Sequence, residues 1–143
     1  MATSDQIVKE LQQFYSRYID SFNREDIDLY LDSFDLPFVI LSGQHGATVF
    51  ADEAARQRFY TQTMRDVQGR GWVRSAVDHI RIWPQAEGLA TLMADVTRLK
   101  QGDAVLERVR AFYTLRHDGK AWRIITMALA TPPFTGPGDI PHP

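Results

Sequence analysis

The sequence predicts an α+β domain, a curved antiparallel sheet packed on three N-terminal helices. Three observations carry this. Apolar residues keep helical spacing through the first half of the chain, strand-like alternation takes over from Gly71 to Ala130, and hairpin signals at Gly102-Asp103 and Asp118-Gly119 divide that stretch.

The first helix is written in Ile7, Val8, Leu11, Phe14, Tyr15, Tyr18, Ile19 and Phe22, with Thr3 and Gln6 able to form a capping box ahead of it. Asn23 is a candidate N-cap for a second, shorter helix whose stripe is Ile27, Tyr30, Leu31 and Phe34 and which must end before Pro37. A buried strand is expected over Phe38 to Leu41, a turn over Ser42 to Gly46 and a short partner strand over Ala47 to Phe50. Asp52 caps a third helix running to about Gln68, stopped by Gly69 and Gly71. Four strands follow: Trp72 to Trp83, Leu89 to Lys100, Ala104 to Arg116 and Ala121 to Ala130. The tail from Thr131 to Pro143 is rich in Pro and Gly and is expected to be extended or disordered.

If each hairpin loop has two residues, the pairing is determined. The first hairpin sets Arg98 opposite Glu107, Val96 opposite Val109, Ala94 opposite Ala111 and Leu92 opposite Tyr113 on one face. The other face receives Asp95 with Arg110, Met93 with Phe112 and Thr91 with Thr114, and two opposite-charge pairs thus emerge from turn chemistry alone. The second hairpin predicts Tyr113 opposite Ile124, Leu115 opposite Trp122 and Ala111 opposite Thr126. The first face is apolar and should pack on the helices. The second mixes charge with Met93, Phe112, Ile125, Met127 and Leu129, so a second copy of the chain is expected to cover it, giving a homodimer through the outer sheet face.

Composition narrows the function classes. A chain of 143 residues suits one domain, here residues 1–130 followed by the 131–143 tail. The formal net charge of −2 argues against a general nucleic-acid binder, which needs a basic surface to displace phosphate counterions. Without cysteine there is no disulfide, thiolate metal site or cysteine nucleophile. No apolar run reaches membrane-spanning length and Met-Ala-Thr-Ser-Asp lacks signal-peptide features, so neither a membrane partner nor export is expected and a cytoplasmic location is the default.

Two motifs resemble a known superfamily. Ser21-Phe22-Asn23-Arg24-Glu25-Asp26-Ile27 is similar to its helix-helix junction, and Asp118-Gly119-Lys120-Ala121-Trp122-Arg123-Ile124 to its last hairpin. Over about residues 4 to 130 the chain resembles the nuclear transport factor two-like proteins, which include ketosteroid isomerases, SnoaL-like polyketide cyclases and limonene epoxide hydrolases. The resemblance implies a single SnoaL-like, cystatin-like domain: a strongly curved antiparallel (mixed) sheet on three helices, a cone-shaped pocket and usually a dimer. It also implies cofactor-free chemistry such as isomerisation, cyclisation or hydration of an apolar small molecule. The alternative is a noncatalytic domain that holds a ligand or a protein partner. Ketosteroid isomerases carry an acidic base on the first strand, where this chain has Phe38-Val39-Ile40-Leu41, and a protonated acid at a position that falls near Ala111.

Asp78 and His79 are the remaining acid/base candidates, because neighbours on a regular strand face opposite sides and one of them should point inward; the sequence leaves open which. The plain alternative is a hydrogen-bonded structural polar group. Tyr18 is the candidate acid beside them. Tyr15 and Tyr113 can present further phenols, with Trp72, Phe34 and Phe59 as apolar walls, although aromatic stripes at helical spacing commonly serve as core. Arg98 with Glu107 either anchors a carboxylate-bearing ligand through the guanidinium or is a cross-strand ion pair. His45, His117 and His142 show no metal-ligand spacing, Ser42 has no nucleophile-elbow context, and no metal or organic cofactor is expected.

Overall fold

The computed structural model describes residues 3–133. Its elements, in chain order, are α1 (Ser4–Asn23), α2 (Ile27–Asp32), β1 (Phe34–Ser42), β2 (Gly46–Phe50), α3 (Glu53–Gly69), β3 (Trp72–Ala86), β4 (Leu89–Lys100), β5 (Val105–His117) and β6 (Trp122–Ala130). Most of the tail expected to be extended or disordered, from residue 134 on, lies outside the described residues.

The six strands form one sheet in the order β2-β1-β6-β5-β4-β3. All neighbours are antiparallel except β1 and β6, which run parallel and make the sheet mixed. The helices cover its inner face. One core results, to which α1 gives Leu11, Phe14, Tyr15, Tyr18 and Phe22, while the sheet gives Leu92, Ala94, Val109, Ala111, Tyr113 and Ile124.

At the start of α1 the capping box closes as expected, with the Gln6 amide N–H donating to Thr3 Oγ1 at 3.2 Å and the Thr3 N–H to Gln6 Oε1 at 2.9 Å. The junction that follows differs from expectation. Asn23 is the last residue of α1, and Asp26 caps α2 by accepting from the Leu29 N–H at 3.2 Å. The Asn23 amide serves another purpose: Oδ1 accepts from the Ser75 N–H at 2.7 Å and Nδ2 donates to the Ser75 carbonyl at 2.9 Å. It pairs with edge strand β3 as a strand residue would, docking the end of α1 on the sheet. Arg56 of α3 fastens the next junction, donating through Nη1 to the carbonyls of Leu31 at 2.8 Å and Phe34 at 3.1 Å and through Nη2 to Glu53.

The first long hairpin reaches the expected register by an unexpected route. Its loop is the three-residue 3-10 turn Gln101–Asp103, closed by the Lys100 N–H on the Ala104 carbonyl at 2.7 Å, rather than two residues. An irregularity between Arg98 and Leu99 compensates, so Arg98 still faces Glu107 and every pair beyond it down to Thr91 with Thr114 is as read from the sequence.

The second hairpin has no such compensation. Asp118 to Ala121 form a four-residue loop, and the pairing is Leu115 with Ile124 and His117 with Trp122. A second shift between Thr114 and Leu115 then sets Tyr113 opposite Met127 and Ala111 opposite Leu129. Met127 and Leu129 therefore lie on the inner face, not the outer one. The loop is shaped by Asp118, whose Oδ1 accepts from the N–H groups of Lys120 at 2.8 Å and Ala121 at 2.9 Å and whose Oδ2 takes Arg123 Nη1 at 2.6 Å.

These backbone donors, helped by the Arg123 charge, lower the Asp118 carboxyl to about 2. A folded value below the unfolded one of about 3.9 means the carboxylate's contribution is present above about pH 4 and is lost as pH falls through about 2. Asp118→Ala should therefore melt below the wild type at pH 6, with the gap narrowing below about pH 3. Thermal melts followed by circular dichroism across that range test it, and a gap independent of pH would refute the carboxylate's role.

Candidate functional site

Between the inner face of the sheet and the helices lies a cavity of about 120 Å³. Its centre is a cluster of four tyrosines from three elements. Tyr15 and Tyr18 come from α1, where a three-residue step keeps them on one face, Tyr30 from α2 and Tyr113 from β5. Tyr15 and Tyr113 hydroxyls share a hydrogen bond of 3.2 Å, those of Tyr18 and Tyr30 one of 3.3 Å, and the Tyr18 hydroxyl also reaches Met127 Sδ at 4.0 Å. The rings also pack on one another: Tyr18 stacks on Tyr30 at 5.2 Å between centroids and meets Tyr113 edge-on at 5.8 Å.

Ile40, Phe59, Val96, Val109, Ala111 and Met127 supply apolar wall. Ala111 matters by its size, because a small residue at mid-sheet leaves the space the tyrosines do not fill. Leu129, half exposed, and Thr63 of α3 lie where the cavity meets solvent.

Burial raises the pKa of all four phenols, well above the ordinary tyrosine range for Tyr15 and Tyr18. Neighbouring phenols add to the rise at Tyr15 and Tyr18, whereas at Tyr113 the bonds from Tyr15 and Tyr18 and the charge of Arg98 oppose it. At neutral pH the cluster is uncharged: it donates and accepts hydrogen bonds but has no basic group.

Arg98 and Ser75 form the polar end. They are cross-strand partners on β4 and β3 and both line the cavity. Arg98 Nη1 donates to Glu107 Oε1 at 2.6 Å, and the same carboxylate is held from outside by Arg70, Nη1 to Oε2 at 2.7 Å and Nη2 to Oε1 at 3.1 Å. These two guanidiniums, Arg70 most strongly, lower the Glu107 carboxyl below its ordinary range. Ser75 is buried, and its Oγ accepts from Trp72 Nε1 at 3.0 Å.

The sequence-derived candidates thus divide. Tyr15, Tyr18, Tyr113 and Arg98 line the cavity; Glu107 stands behind Arg98; Phe34 and Trp72 are buried core beside it rather than lining it. Asp78 and His79 are a correction. Both are exposed and neither borders the cavity, because the β3 register shifts between Val77 and His79 and the premise that one of two neighbours must point inward fails at that bulge. Asp78 accepts from Thr97 Oγ1 at 2.6 Å, and His79 is paired in the sheet with Asp95. Asp95 in turn binds Arg110 Nε at 2.7 Å and Nη2 at 3.1 Å, the outer-face ion pair read from the register. Among the described residues no carboxylate and no imidazole lines the cavity. Among them, too, no three His, Asp or Glu side chains gather as a metal requires, and no helix is long and apolar enough to cross a membrane.

Several lining residues were not singled out as site residues from sequence, Tyr30, Ser75, Met127 and Leu129 among them. Tyr30 was legible as part of the α2 stripe, Ser75 only through its pairing with Arg98, and Met127 and Leu129 were hidden by the register shift in the last hairpin.

Helices laid over the inner face of a curved mixed sheet, with a cavity between them, define the cystatin-like, NTF2-like class. The chain belongs to the NTF2-like protein family DUF6841, whose model matches residues 9–132. No curated protein matches it. Among solved structures it is similar to a protein of unknown function with a cystatin-like fold from Nostoc punctiforme, at 20% identity over 92% of this chain and 94% of that one with a TM-score of 0.68. It is also similar to an NTF2-like protein of unknown function from Pseudomonas putida, at 15% identity over 92% and 90% of the two chains and a TM-score of 0.72. Aln2 from a Streptomyces species matches at 18% identity over 92% and 94%, with a TM-score of 0.69. At these identities the likeness concerns the fold.

Proposed function

We propose that the protein is a binding domain for a small, largely apolar molecule, about the size of one six-membered ring, that presents an oxygen to the tyrosine cluster. The observation that carries this reading is a cavity of about 120 Å³ whose polar groups are four uncharged phenols, an arginine and two hydroxyl side chains, with no base among them. Size follows from comparison with an engineered apolar cavity of ~150 Å³, which takes up benzene. Isomerisation, cyclisation or hydration needs a group that abstracts or relays a proton, and neutral phenols held far from ionisation donate and accept hydrogen bonds without acting as that base. The fold's capacity for such chemistry is therefore used here for binding.

The test is titration with cyclohexanone and benzaldehyde, followed by ¹H–¹⁵N chemical shifts and by melting temperature. Binding in the range of about 10 µM to 1 mM is expected for ligands of this size. Ala111→Phe, which fills the space beneath Tyr113, should weaken it at least tenfold while the variant still melts cooperatively. Shifts that never appear, or that appear equally in Ala111→Phe, would count against the cavity as the site.

A further inference from the structure

The polar end of the cavity has hydrogen-bonding capacity that the protein itself does not use. Of Arg98's donors only Nη1 meets an acceptor, leaving Nε and Nη2 without one among the described residues, on a side chain only 14% exposed. Ser75 is 5% exposed, and its oxygen accepts from Trp72 while its own hydroxyl hydrogen has no protein acceptor among the described residues. Arg98 is part-buried and its Nε and Nη2 are not sealed from solvent, the one sealed side-chain nitrogen without a partner among the described residues being Arg56 Nε, so they are open to an acceptor from outside the chain.

Charge points the same way. Glu107 is the counter-ion of Arg98, but Arg70 already grips both of its oxygens and is anchored in turn by Asp66 at 2.8 Å. Two guanidiniums thus share one carboxylate at the cavity's end, and Asp66 is too exposed, at 64%, to offset the second one fully. Resting on the binding function above, we propose that the cavity selects small organic acids, with the ligand's carboxylate on Arg98 and the Ser75 hydroxyl and its apolar body among the tyrosines. Arg70 is the positioning residue that keeps Glu107 occupied so that Arg98 can turn to the ligand. The planar guanidinium suits a carboxylate, which it can hold with two parallel N–H bonds.

The experiment compares benzoate with benzamide and benzaldehyde, three ligands of nearly one shape, at pH 7 by calorimetry and ¹H–¹⁵N shifts. Benzoate should bind about tenfold to a hundredfold more tightly than either neutral analogue, the range for a charge-assisted hydrogen bond. Arg98→Met should bring benzoate down to the level of benzamide, and Ser75→Ala should weaken benzoate about threefold to tenfold with little change for benzaldehyde. The wild-type comparison needs no variant, so it holds even if Arg98→Met fails to fold. Benzaldehyde binding as well as benzoate would overturn selection for acids and leave the binding domain standing. If none of the three binds, the binding reading falls and the selectivity with it.

Discussion

Raising the pH above about 10 should unfold this protein in one cooperative step, with the phenols of Tyr15, Tyr18, Tyr30 and Tyr113 ionising together as it opens. An unfolded tyrosine loses its proton near 10, whereas these four keep theirs to higher pH because burial penalises the anion. Between the unfolded and the raised folded values the folded chain holds protons that the unfolded chain has released, so stability falls as pH rises through that window. Each retained proton costs about 1.4 kcal/mol per pH unit, hence up to about 5 kcal/mol per unit for the four. Against a total stability of about 5–15 kcal/mol, one to three units above pH 10 are enough.

Absorbance at 295 nm and far-ultraviolet circular dichroism should therefore change at the same pH. Tyr18→Phe removes one linked proton and should make the alkaline transition less steep. The reverse pattern, with three or four phenols titrating near pH 10 while the dichroism stays native, would mean that water reaches the cluster freely and that the tyrosines are not the buried, apolar centre described above.

How well the sequence foretold this site depended on which physical signal was asked. Helical spacing placed α1 and α3 closely, and period-two alternation with turn residues found the long strands, because both record which face is buried. The first hairpin came out in register although its loop is one residue longer than assumed, since the extra residue and the irregularity by Arg98 cancel. In the second hairpin the loop is two residues longer than assumed, which preserves the faces, and it is the irregularity between Thr114 and Leu115 that carries Met127 and Leu129 to the inner one. Bulges leave no clear mark in one sequence. The same limitation misled the acid/base assignment: the shift at Val77–His79 leaves both Asp78 and His79 outside, and the polar wall of the cavity belongs to Ser75 and Arg98 instead. Asn23 has a good capping side chain and yet serves the sheet, because Asp26 sits closer to the first free N–H groups of α2.

Phe34→Ala should be among the most costly single substitutions in the chain and should also change what the cavity admits. Phe34 is fully buried where α2 ends and β1 begins, with ring centroids 4.7 Å from Phe38, 5.3 Å from Tyr30, 5.4 Å from Phe59 and 5.8 Å from Tyr18. Its backbone is held too, opposite Ile124 in the parallel pairing and with its carbonyl accepting from Arg56. Neighbours so fixed have little freedom to collapse into the space a phenyl ring vacates, so the loss should be near the usual ~3–5 kcal/mol for Phe→Ala in a core. For a domain of this size that lowers the melting temperature by about 10–20 °C. Phe34→Leu, which keeps most of the volume, should cost less than about half as much. The vacated space lies directly against Tyr18 and Tyr30, two walls of the cavity, and should enlarge it. Benzene or naphthalene should therefore raise the melting temperature of Phe34→Ala by mass action while leaving the wild type nearly unchanged for naphthalene. A variant that melts within a few degrees of the wild type would show that Phe34 does not support the tyrosine cluster. A destabilised variant that ignores both hydrocarbons would show that the core closes over the gap and that the cavity's size is set elsewhere.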